Sequence, residues 1–214
     1  MKIASFIDHT VLKPDATLAD IQQVCKEAVT HGFAAVCVPP FYVAQARQAL
    51  DGTPVKLATV IGFPLGYSAT VAKVEEIKRA IDEGADEFDI VINIAAVKNA
   101  NWSFVRNDID RMLTACHLRA KQIKVIIETA LLTEAEILEI CKICNDLEPD
   151  YVKTSTGFNG AGATVDIVRL LRAKLKKEIK IKASGGIRTQ EDAKALVEAG
   201  ADRLGTSRGV ELAD

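Results

Sequence analysis

Eight short apolar segments alternate with amphipathic helical patterns along this chain, and that alternation restricts the fold more than any other feature. Strands that alternate with helices pair in parallel, because each helix returns the chain to the same end of the sheet. Eight such units favour a single-domain (β/α)8 barrel, a TIM barrel over residues 1–214, rather than an open doubly wound sheet. The predicted strands are Ile7 with its neighbours, 34–38, 56–61, 88–92, 124–128, 151–155, 180–183 and 203–205.

The segments between these strands have the 3.6-residue period of helices that pack one face against a sheet. The chain of 214 residues is shorter than a typical barrel of about 250 residues, so the predicted connections are short. Polar residues suited to cap helix N-termini are Thr17, Ser103, Thr133, Thr164 and Thr189. The predicted helices include 18–29, 71–83, 104–120, 134–147, 165–175 and 190–199.

The charge balance argues weakly against a nucleic-acid partner. Lysine and arginine number 27 and aspartate and glutamate 29, which gives a formal net charge of -2 and no basic excess. Asp8 interrupts the first apolar run, so no secretory signal is expected. No apolar run reaches the about 20 residues that cross a bilayer. The expectation is a cytoplasmic protein without a membrane or nucleic-acid partner.

The five cysteines are expected to be reduced thiols, because an odd number without a secretory signal does not suggest a disulfide framework. Cys141 and Cys144 form a C-x-x-C pair, a spacing also found in redox and metal sites. Together with Ile137 and Ile140 they fall at i, i+3, i+4 and i+7 of one predicted helix. The pair is therefore predicted to pack in the core, and no second cysteine pair completes a zinc site.

Two lysines lie at the ends of the sixth and seventh predicted strands, Lys153 and Lys182. Barrel strands are covered on both faces, and buried lysines are rare, so lysines at these positions are better explained by function than by surface exposure. An amine attacks a carbonyl only when it is neutral, and an unperturbed lysine has a pKa of about 10.4. A second ammonium beside a half-buried lysine lowers its pKa. The pair therefore suggests Schiff-base chemistry at the barrel mouth.

Other polar residues interrupt or end predicted strands near the same mouth. Asp89 breaks the apolar fourth strand, and a carboxylate there requires a polar mouth or a paired ammonium. It either holds a lysine in place or transfers a proton, and the sequence leaves both open. Asp8 and Thr10 end the first strand and could join this network. His9 could instead brace the mouth, and Cys37 is interpreted as a small wall residue rather than a nucleophile.

Glycine-rich turns follow the seventh and eighth predicted strands. Loops at these places form the recurrent phosphate site of barrels, where backbone N–H groups hold the anion. Gly-Gly at 185–186 and Gly-Thr-Ser at 205–207 allow close approach of the backbone, and Ser184 and Ser207 can donate hydrogen bonds. The glycine-rich segment 157–162 lacks the dinucleotide-binding fingerprint and is predicted to be a flexible active-site loop.

Eight motifs that span most of the chain resemble those of one enzyme family. They are Ile-Asp-His-Thr-Val-Leu-Lys-Pro (7–14), Ala-Val-Cys-Val-Pro-Pro (35–40), Ile-Gly-Phe-Pro-Leu-Gly (61–66), Glu-Phe-Asp-Ile-Val-Ile-Asn-Ile (87–94), Lys-Val-Ile-Ile-Glu-Thr (124–129), Tyr-Val-Lys-Thr-Ser-Thr-Gly-Phe (151–158), Ile-Lys-Ala-Ser-Gly-Gly-Ile-Arg (181–188) and Arg-Leu-Gly-Thr-Ser (203–207). In this order they are similar to deoxyribose-phosphate aldolases of the shorter bacterial and archaeal form.

The resemblance implies reversible cleavage of 2-deoxy-D-ribose 5-phosphate to acetaldehyde and D-glyceraldehyde 3-phosphate, a step in deoxyribose phosphate catabolism. It implies that Lys153 forms the Schiff base, that Lys182 lowers the pKa of Lys153 and moves protons, and that Asp89 is an acidic proton relay. It also implies a homodimer and no cofactor or metal. The residues expected to contact the substrate or its phosphate are Gly157, Ser184, Gly185, Gly186, Gly205, Ser207, Cys37, Asp8 and Thr10.

Two features depart from the family pattern. Arg208 stands where many members have serine, and the sequence ends at Asp214 without the C-terminal tyrosine tail of some longer members. These differences bear on substrate affinity and on protonation of the enamine. Two alternatives remain at this point, another Schiff-base barrel of the transaldolase or keto-acid aldolase kind, and a barrel that only binds a sugar phosphate.

Overall fold

The computed structural model describes residues 2–213, and their eight strands form one closed barrel. Every strand pairs in parallel with its neighbours in chain order, and the eighth strand pairs with the first to close the ring. This confirms the predicted single-domain barrel, with strand bounds that differ from the predicted ones by at most two residues. The strands are β1 (Ile7–Thr10), β2 (Ala35–Val38), β3 (Lys56–Ile61), β4 (Glu87–Val91), β5 (Gln122–Ile126), β6 (Tyr151–Lys153), β7 (Lys180–Ser184) and β8 (Arg203–Thr206).

Helices follow the strands around the outside of the barrel. The six predicted helices are present, and three short α-helices in the described chain were not predicted: Val43–Ala49, Ile94–Lys98 and Gly209–Ala213. Each of these three spans at most seven residues, which is too short for a helical period to stand out. The helices are α1 (Leu18–His31), α2 (Val43–Ala49), α3 (Thr70–Asp82), α4 (Ile94–Lys98), α5 (Trp102–His117), α6 (Glu134–Leu147), α7 (Val165–Lys174), α8 (Gln190–Glu198) and α9 (Gly209–Ala213).

The caps follow the sequence pattern with one exception. The predicted caps of α1, α6, α7 and α8 each accept a hydrogen bond from a backbone N–H of the first turn, and three of them complete capping boxes. The prediction for α5 is wrong. Its cap is Asn101, which accepts from the N–H of Phe104, while Ser103 lies inside the helix and donates to Asn101. Asparagine caps as well as serine, so the residue types could not decide between the two positions.

Most of the apolar core lies between the barrel and its helices, and the barrel interior is largely charged. On β4, Phe88 and Ile90 belong to the main apolar cluster, whereas Glu87 and Asp89 alternate with them and face inward. A smaller apolar cluster that contains Cys37 fills part of the interior. Charged side chains in such a place must satisfy one another, and here they pair inside the barrel, where they extend from β1 and from β4 to β8.

The cysteines are buried free thiols, as expected. Cys141 and Cys144 both contribute to the main apolar cluster, which confirms the core interpretation of the C-x-x-C pair. Burial raises the pKa of the Cys141 thiol to about 11. In residues 2–213 no helix is long and apolar enough to cross a membrane.

Candidate active site

Lys153 and Lys182 face each other across two adjacent strands, as the sequence predicts. They are Cα partners in the register of β6 and β7. Lys153 lines an open cavity of about 390 Å³ at the barrel mouth, whereas Lys182 is fully buried beneath the cavity floor. The two lysines therefore differ in access, because Lys153 lines the cavity and Lys182 does not.

Asp89 joins the two lysines through a single oxygen. Its Oδ2 accepts a hydrogen bond from Lys153 Nζ at 2.8 Å and another from Lys182 Nζ at 2.6 Å. Its Oδ1 accepts from Lys124 Nζ at 2.9 Å. This carboxylate is fully buried and surrounded by three amines. Holding the lysines in place is thus one role the geometry gives to Asp89, and it lies close enough to Lys153 to take part in proton transfer as well.

Lys124 is a member of this network that the sequence analysis did not assign. Its ammonium is fully buried on β5 and lies 2.6 Å from Glu87 Oε2 and 3.7 Å from Asp8 Oδ2, in addition to Asp89. The predicted fifth strand begins at Lys124, where a lysine is ordinary, whereas the structure places Lys124 inside β5. Arg203 extends the network on β8, where its Nε donates to Asp8 Oδ1 at 2.6 Å.

The buried network carries more cations than anions. If every group were ionised, its four cations would exceed its three carboxylates by one charge in a region of low dielectric constant. The amine with the fewest carboxylate contacts is Lys153, whose ion pair is with Asp89 alone. Lys153 is therefore the group whose proton is held least firmly. The network comprises Lys124, Lys153, Lys182, Arg203, Asp8, Glu87 and Asp89.

The pKa shifts have the same pattern. Burial lowers the pKa of Lys153, Asp89 opposes this shift and the ammonium of Lys182 adds to it. Burial also acts to lower the pKa of Lys182, but Asp8 and Asp89 outweigh it and raise that pKa. Asp89 is held well below its usual pKa by Lys124, Lys153 and Lys182, despite the opposing effect of burial. Lys182 therefore remains an ammonium while Lys153 can supply a neutral amine. Burial lowers the pKa of Lys153 more than the ammonium of Lys182 does.

The predicted glycine turns form the wall of the same cavity. Gly185 and Gly186 adopt left-handed conformations with φ of 82° and 75°, which glycine adopts without strain. Gly205 is glycine for a different reason. A Cβ there would lie 2.8 Å from the Ser184 Cβ and 3.1 Å from the Lys182 Cε. Of the predicted contact residues, those that line the cavity are Thr10, Gly157, Ser184, Gly185, Gly186, Gly205 and Ser207.

Three cationic side chains border the cavity beside these turns. Lys13 and Arg188, which the sequence analysis did not assign, line it together with Arg208. Arg208 is about half exposed, and its guanidinium lies 3.5 Å from Glu211 one turn later. These residues are on loops, where neither period nor spacing indicates which side chains face inward. An anionic group on a ligand would meet positive charge at this end of the cavity.

Two predicted contact residues lie beneath the cavity, outside the set that lines it. Asp8 is fully buried and its Oδ2 lies 2.5 Å from Lys182 Nζ, so its position supports that lysine from below. Cys37 is also fully buried, and burial together with Asp89 raises the pKa of its thiol to about 11. A neutral thiol is a poor nucleophile, in keeping with the interpretation of Cys37 as a wall residue.

His9 braces β1 from outside the barrel. Its imidazole is buried, its Nε2 lies 2.6 Å from Glu27 Oε2 on α1, and its ring packs against Phe33 with centroids 5.2 Å apart. His9 thus links the strand that carries Asp8 to the first helix. Among residues 2–213 no three His, Cys, Asp or Glu side chains are grouped so that they could hold a metal ion.

This chain is similar to known aldolases in both sequence and fold. Residues 2–211 match the sequence profile of the family described as DeoC/LacD family aldolase. The chain is 53% identical over 212 residues to a deoxyribose-phosphate aldolase of Desulfitobacterium hafniense, covering 99% of this chain and 97% of that protein. It is 49% identical over 216 residues to that of Thermococcus gammatolerans, with 100% and 96% covered. The tetrameric deoxyribose phosphate aldolase of Aeropyrum pernix superposes with a TM-score of 0.92 at 32% identity, covering 98% of this chain and 88% of that one.

Proposed function

We propose that this chain, which belongs to the DeoC/LacD aldolase family as a deoxyribose-phosphate aldolase, cleaves deoxyribose phosphate through a Schiff base on Lys153. The observation that carries the proposal is the position of Lys153 at the cavity floor, with a lowered pKa and a carboxylate oxygen shared with Lys182. A neutral amine in contact with the cavity is what attack on an aldehyde requires. No other lysine of the network lines the cavity.

The chemical steps assign separate roles to the three groups. The neutral amine of Lys153 adds to the aldehyde carbon of the open-chain sugar, and loss of water leaves a protonated imine. Asp89 Oδ2, 2.8 Å from Lys153 Nζ, supplies the countercharge for that cation. The bond between C2 and C3 then breaks. Its electron pair moves toward the imine to form an enamine, and the proton of the C3 hydroxyl passes to Lys182, which gave up its own proton in the dehydration, as the new aldehyde forms.

The second half of the reaction returns the enzyme to its starting state. The enamine is protonated at the former C2, and water hydrolyses the resulting imine to release acetaldehyde and free Lys153. Lys182, which is held as an ammonium by Asp8 and Asp89, is the proton donor that we assign to the dehydration and protonation steps. Asp89 connects it to Lys153 through the shared oxygen.

The phosphate of the substrate is proposed to bind between the glycine turns. The turns at 185–186 and 205–207 line the same cavity as Lys153, and Lys13, Arg188 and Arg208 add positive charge at its border. Backbone N–H groups of glycine turns bind phosphate closely because no side chain intervenes. The substrate is therefore proposed to be 2-deoxy-D-ribose 5-phosphate, with products acetaldehyde and D-glyceraldehyde 3-phosphate, in deoxyribose phosphate catabolism. A panel of phosphorylated aldoses and keto acids, scored for acetaldehyde release, tests this assignment.

Gly185→Ala is expected to weaken phosphate binding. The added Cβ would lie 3.0 Å from Gly162 Cα and 3.3 Å from Gly157 Cα at a φ of 82°, so the turn must move away from the neighbouring loop. We expect KM for deoxyribose 5-phosphate to rise about tenfold, the effect of losing roughly one good hydrogen bond to an anion. Steady-state kinetics measure this.

Gly32→Ala is the matched control for that variant. Gly32 also has a left-handed φ, of 68°, but a Cβ there meets nothing within 4 Å, and it caps α1 on the outside of the barrel. Both variants carry similar backbone strain, about 1 kcal/mol, while only one changes the cavity. An equal rise of KM in both would contradict the assignment of the turn to phosphate.

Self-association is proposed as a homodimer. Its support is the family resemblance, and the alternative is a tetramer, because the Aeropyrum pernix protein is described as one. Sedimentation velocity at several concentrations distinguishes the two.

A further inference from the structure

Glu128 is a buried carboxylate whose hydrogen bonds all reach one loop. It follows β5 and is 1% exposed. Its Oε1 accepts from the backbone N–H of Thr156 at 3.1 Å, and its Oε2 accepts from the Thr156 hydroxyl and from Asn159 Nδ2, the latter at 3.1 Å. None of the ion pairs in the described chain involves Glu128. The donors of the loop after β6 therefore satisfy its charge.

The backbone of Glu128 is held in an unusual conformation. Its φ of 53° and ψ of 63° are left-handed, a conformation that strains a residue with a side chain. Such a conformation persists only where surrounding contacts impose it. Here the next residue, Thr129, donates its N–H to Thr154 O at 2.9 Å, and the preceding residue, Ile127, donates to Lys153 O at 3.0 Å. The chain thus follows β6 past Lys153 while the Glu128 side chain reaches the residues beyond it.

The loop that Glu128 holds forms part of the cavity wall. Thr156, Gly157 and Phe158 line the cavity beside the turn of Gly185. Thr156 connects Glu128 to Phe158, because its hydroxyl donates to Glu128 and also accepts from the N–H of Phe158 at 3.1 Å. The position of the Gly157 backbone is therefore fixed from both sides by one carboxylate.

The same carboxylate ties the loop to a second one. Asn159 Nδ2 donates to Glu128 and also lies 3.3 Å from Pro64 O in the loop after β3. Phe158 packs edge to face on Phe63, with ring centroids 5.1 Å apart. The two loops meet over the barrel mouth, and Glu128 is the buried anchor beneath their contact.

We propose that Glu128 is a positioning residue. Through Thr156 and Asn159 it holds the loop after β6 in the position where that loop completes the phosphate-binding site. The proposal rests on the proposed function for the identity of the ligand. Glu128 itself does not line the cavity, and it acts through Thr156 and Gly157. Its role is to fix the distance between the bound phosphate and the amine of Lys153, which immediately precedes the loop.

Glu128→Gln tests the proposal because it preserves size and removes one acceptor. The carboxylate accepts three hydrogen bonds, whereas an amide has a single oxygen, and its NH2 group would face the N–H of Thr156 or the NH2 of Asn159. We expect KM for deoxyribose 5-phosphate to rise about tenfold or more, as a lost charge-assisted hydrogen bond implies, with kcat changed less than about threefold. The inhibition constant of inorganic phosphate should rise by the same factor.

A substrate without a phosphate distinguishes a positioning role of Glu128 from a general loss of enzyme activity. For 2-deoxyribose, kcat/KM of the Glu128→Gln enzyme should stay within about threefold of the parent value, because this sugar has no phosphate and does not use the phosphate-binding site. Glu139→Gln is the control, because it removes a carboxylate from the outer face of α6, where it pairs with Lys142. That control should leave the kinetics of both substrates unchanged.

Two variants of Thr156 test the same contact without altering the strained residue. Thr156→Val removes the hydroxyl and should reproduce the KM effect, whereas Thr156→Ser keeps it and should restore near-parent KM. If Glu128→Gln lowers kcat/KM equally for both sugars, or alters neither, the proposal is overturned. If Glu128→Gln does not fold, a normal KM in Thr156→Val overturns it.

The failure of this proposal is distinguishable from failure of the proposed function. Trapping of acetaldehyde at Lys153 requires no phosphate, so it should be equal in the parent and in Glu128→Gln. Loss of trapping in the parent would contradict the Schiff-base mechanism. Calorimetric titration with inorganic phosphate would still show whether Glu128→Gln lowers the affinity for phosphate, because that measurement requires no turnover.

Discussion

Replacing Lys153 with methionine is expected to abolish cleavage of deoxyribose 5-phosphate, with a loss of at least about 10³-fold in kcat, as when a covalent nucleophile is removed. Methionine has nearly the same length and fills the same space, but it has no amine to add to the aldehyde. The change also removes the least firmly held charge of the buried network, so the fold should survive. Acetaldehyde release in a coupled assay, with thermal unfolding as the folding check, measures the outcome.

Lys153→Arg is the companion to that variant. It keeps a cation beside Asp89, but a guanidinium does not lose its proton at accessible pH and cannot form an imine. Both variants should therefore be inactive for the same chemical reason. Turnover within about tenfold of the parent in either one would remove Lys153 from the mechanism.

Replacing Lys182 with methionine is expected to lower kcat by about 10²–10³-fold, within the range for general acid catalysis, and to change the pH profile. In the parent, Asp89 Oδ2 serves both Lys153 and Lys182. Without Lys182, the ammonium repulsion is lost and Asp89 pairs more strongly with Lys153, so the pKa of Lys153 rises. The active form is the neutral amine. The rise of kcat/KM with increasing pH should therefore move to higher pH in the variant.

Lys180→Met is the control for that measurement. Lys180 lies on the same strand, two residues earlier, with an exposed side chain that packs over Tyr151 outside the buried network. Its replacement should leave the pH profile in place. A shift toward lower pH in Lys182→Met would mean that Lys182 does not help to keep Lys153 neutral.

The parts of the fold that follow from local pattern could be predicted from the sequence. All eight strands were predicted, and the neighbouring positions of Lys153 and Lys182 followed from strand order alone. The β5 strand was displaced by two residues. The apolar run continues through Ile126 and Ile127, so composition gave no end point, whereas the structure ends the strand before the left-handed Glu128.

The buried ion network could be predicted only in part. Asp89 and the two lysines were recognised because each interrupts an apolar strand. Three members were not assigned, because they lie at or beside the starts of predicted strands, where polar residues are ordinary: Glu87, Lys124 and Arg203. Which of these face inward depends on barrel closure, and the charge excess that leaves the proton of Lys153 least firmly held emerges only when the whole set is placed together.

Loop residues were the least accessible to sequence reasoning. Lys13, Arg188 and Thr156 line the cavity through loop conformations that no periodic pattern encodes. The glycine turns were predicted because barrels reuse those two loops for phosphate and because glycine marks close approach. Glu128 was part of a recognised motif, but its role depends on a long-range contact with the loop after β6.

The identity of the nucleophile is tested most directly by reductive trapping. The enzyme is incubated with acetaldehyde and borohydride, digested, and examined by mass spectrometry for a lysine that carries one ethyl group. We predict a single modified peptide, with the ethyl group on Lys153, and no adduct in Lys153→Met. An adduct located on Lys182 or Lys124, or active enzyme that forms no adduct at all, would contradict the account.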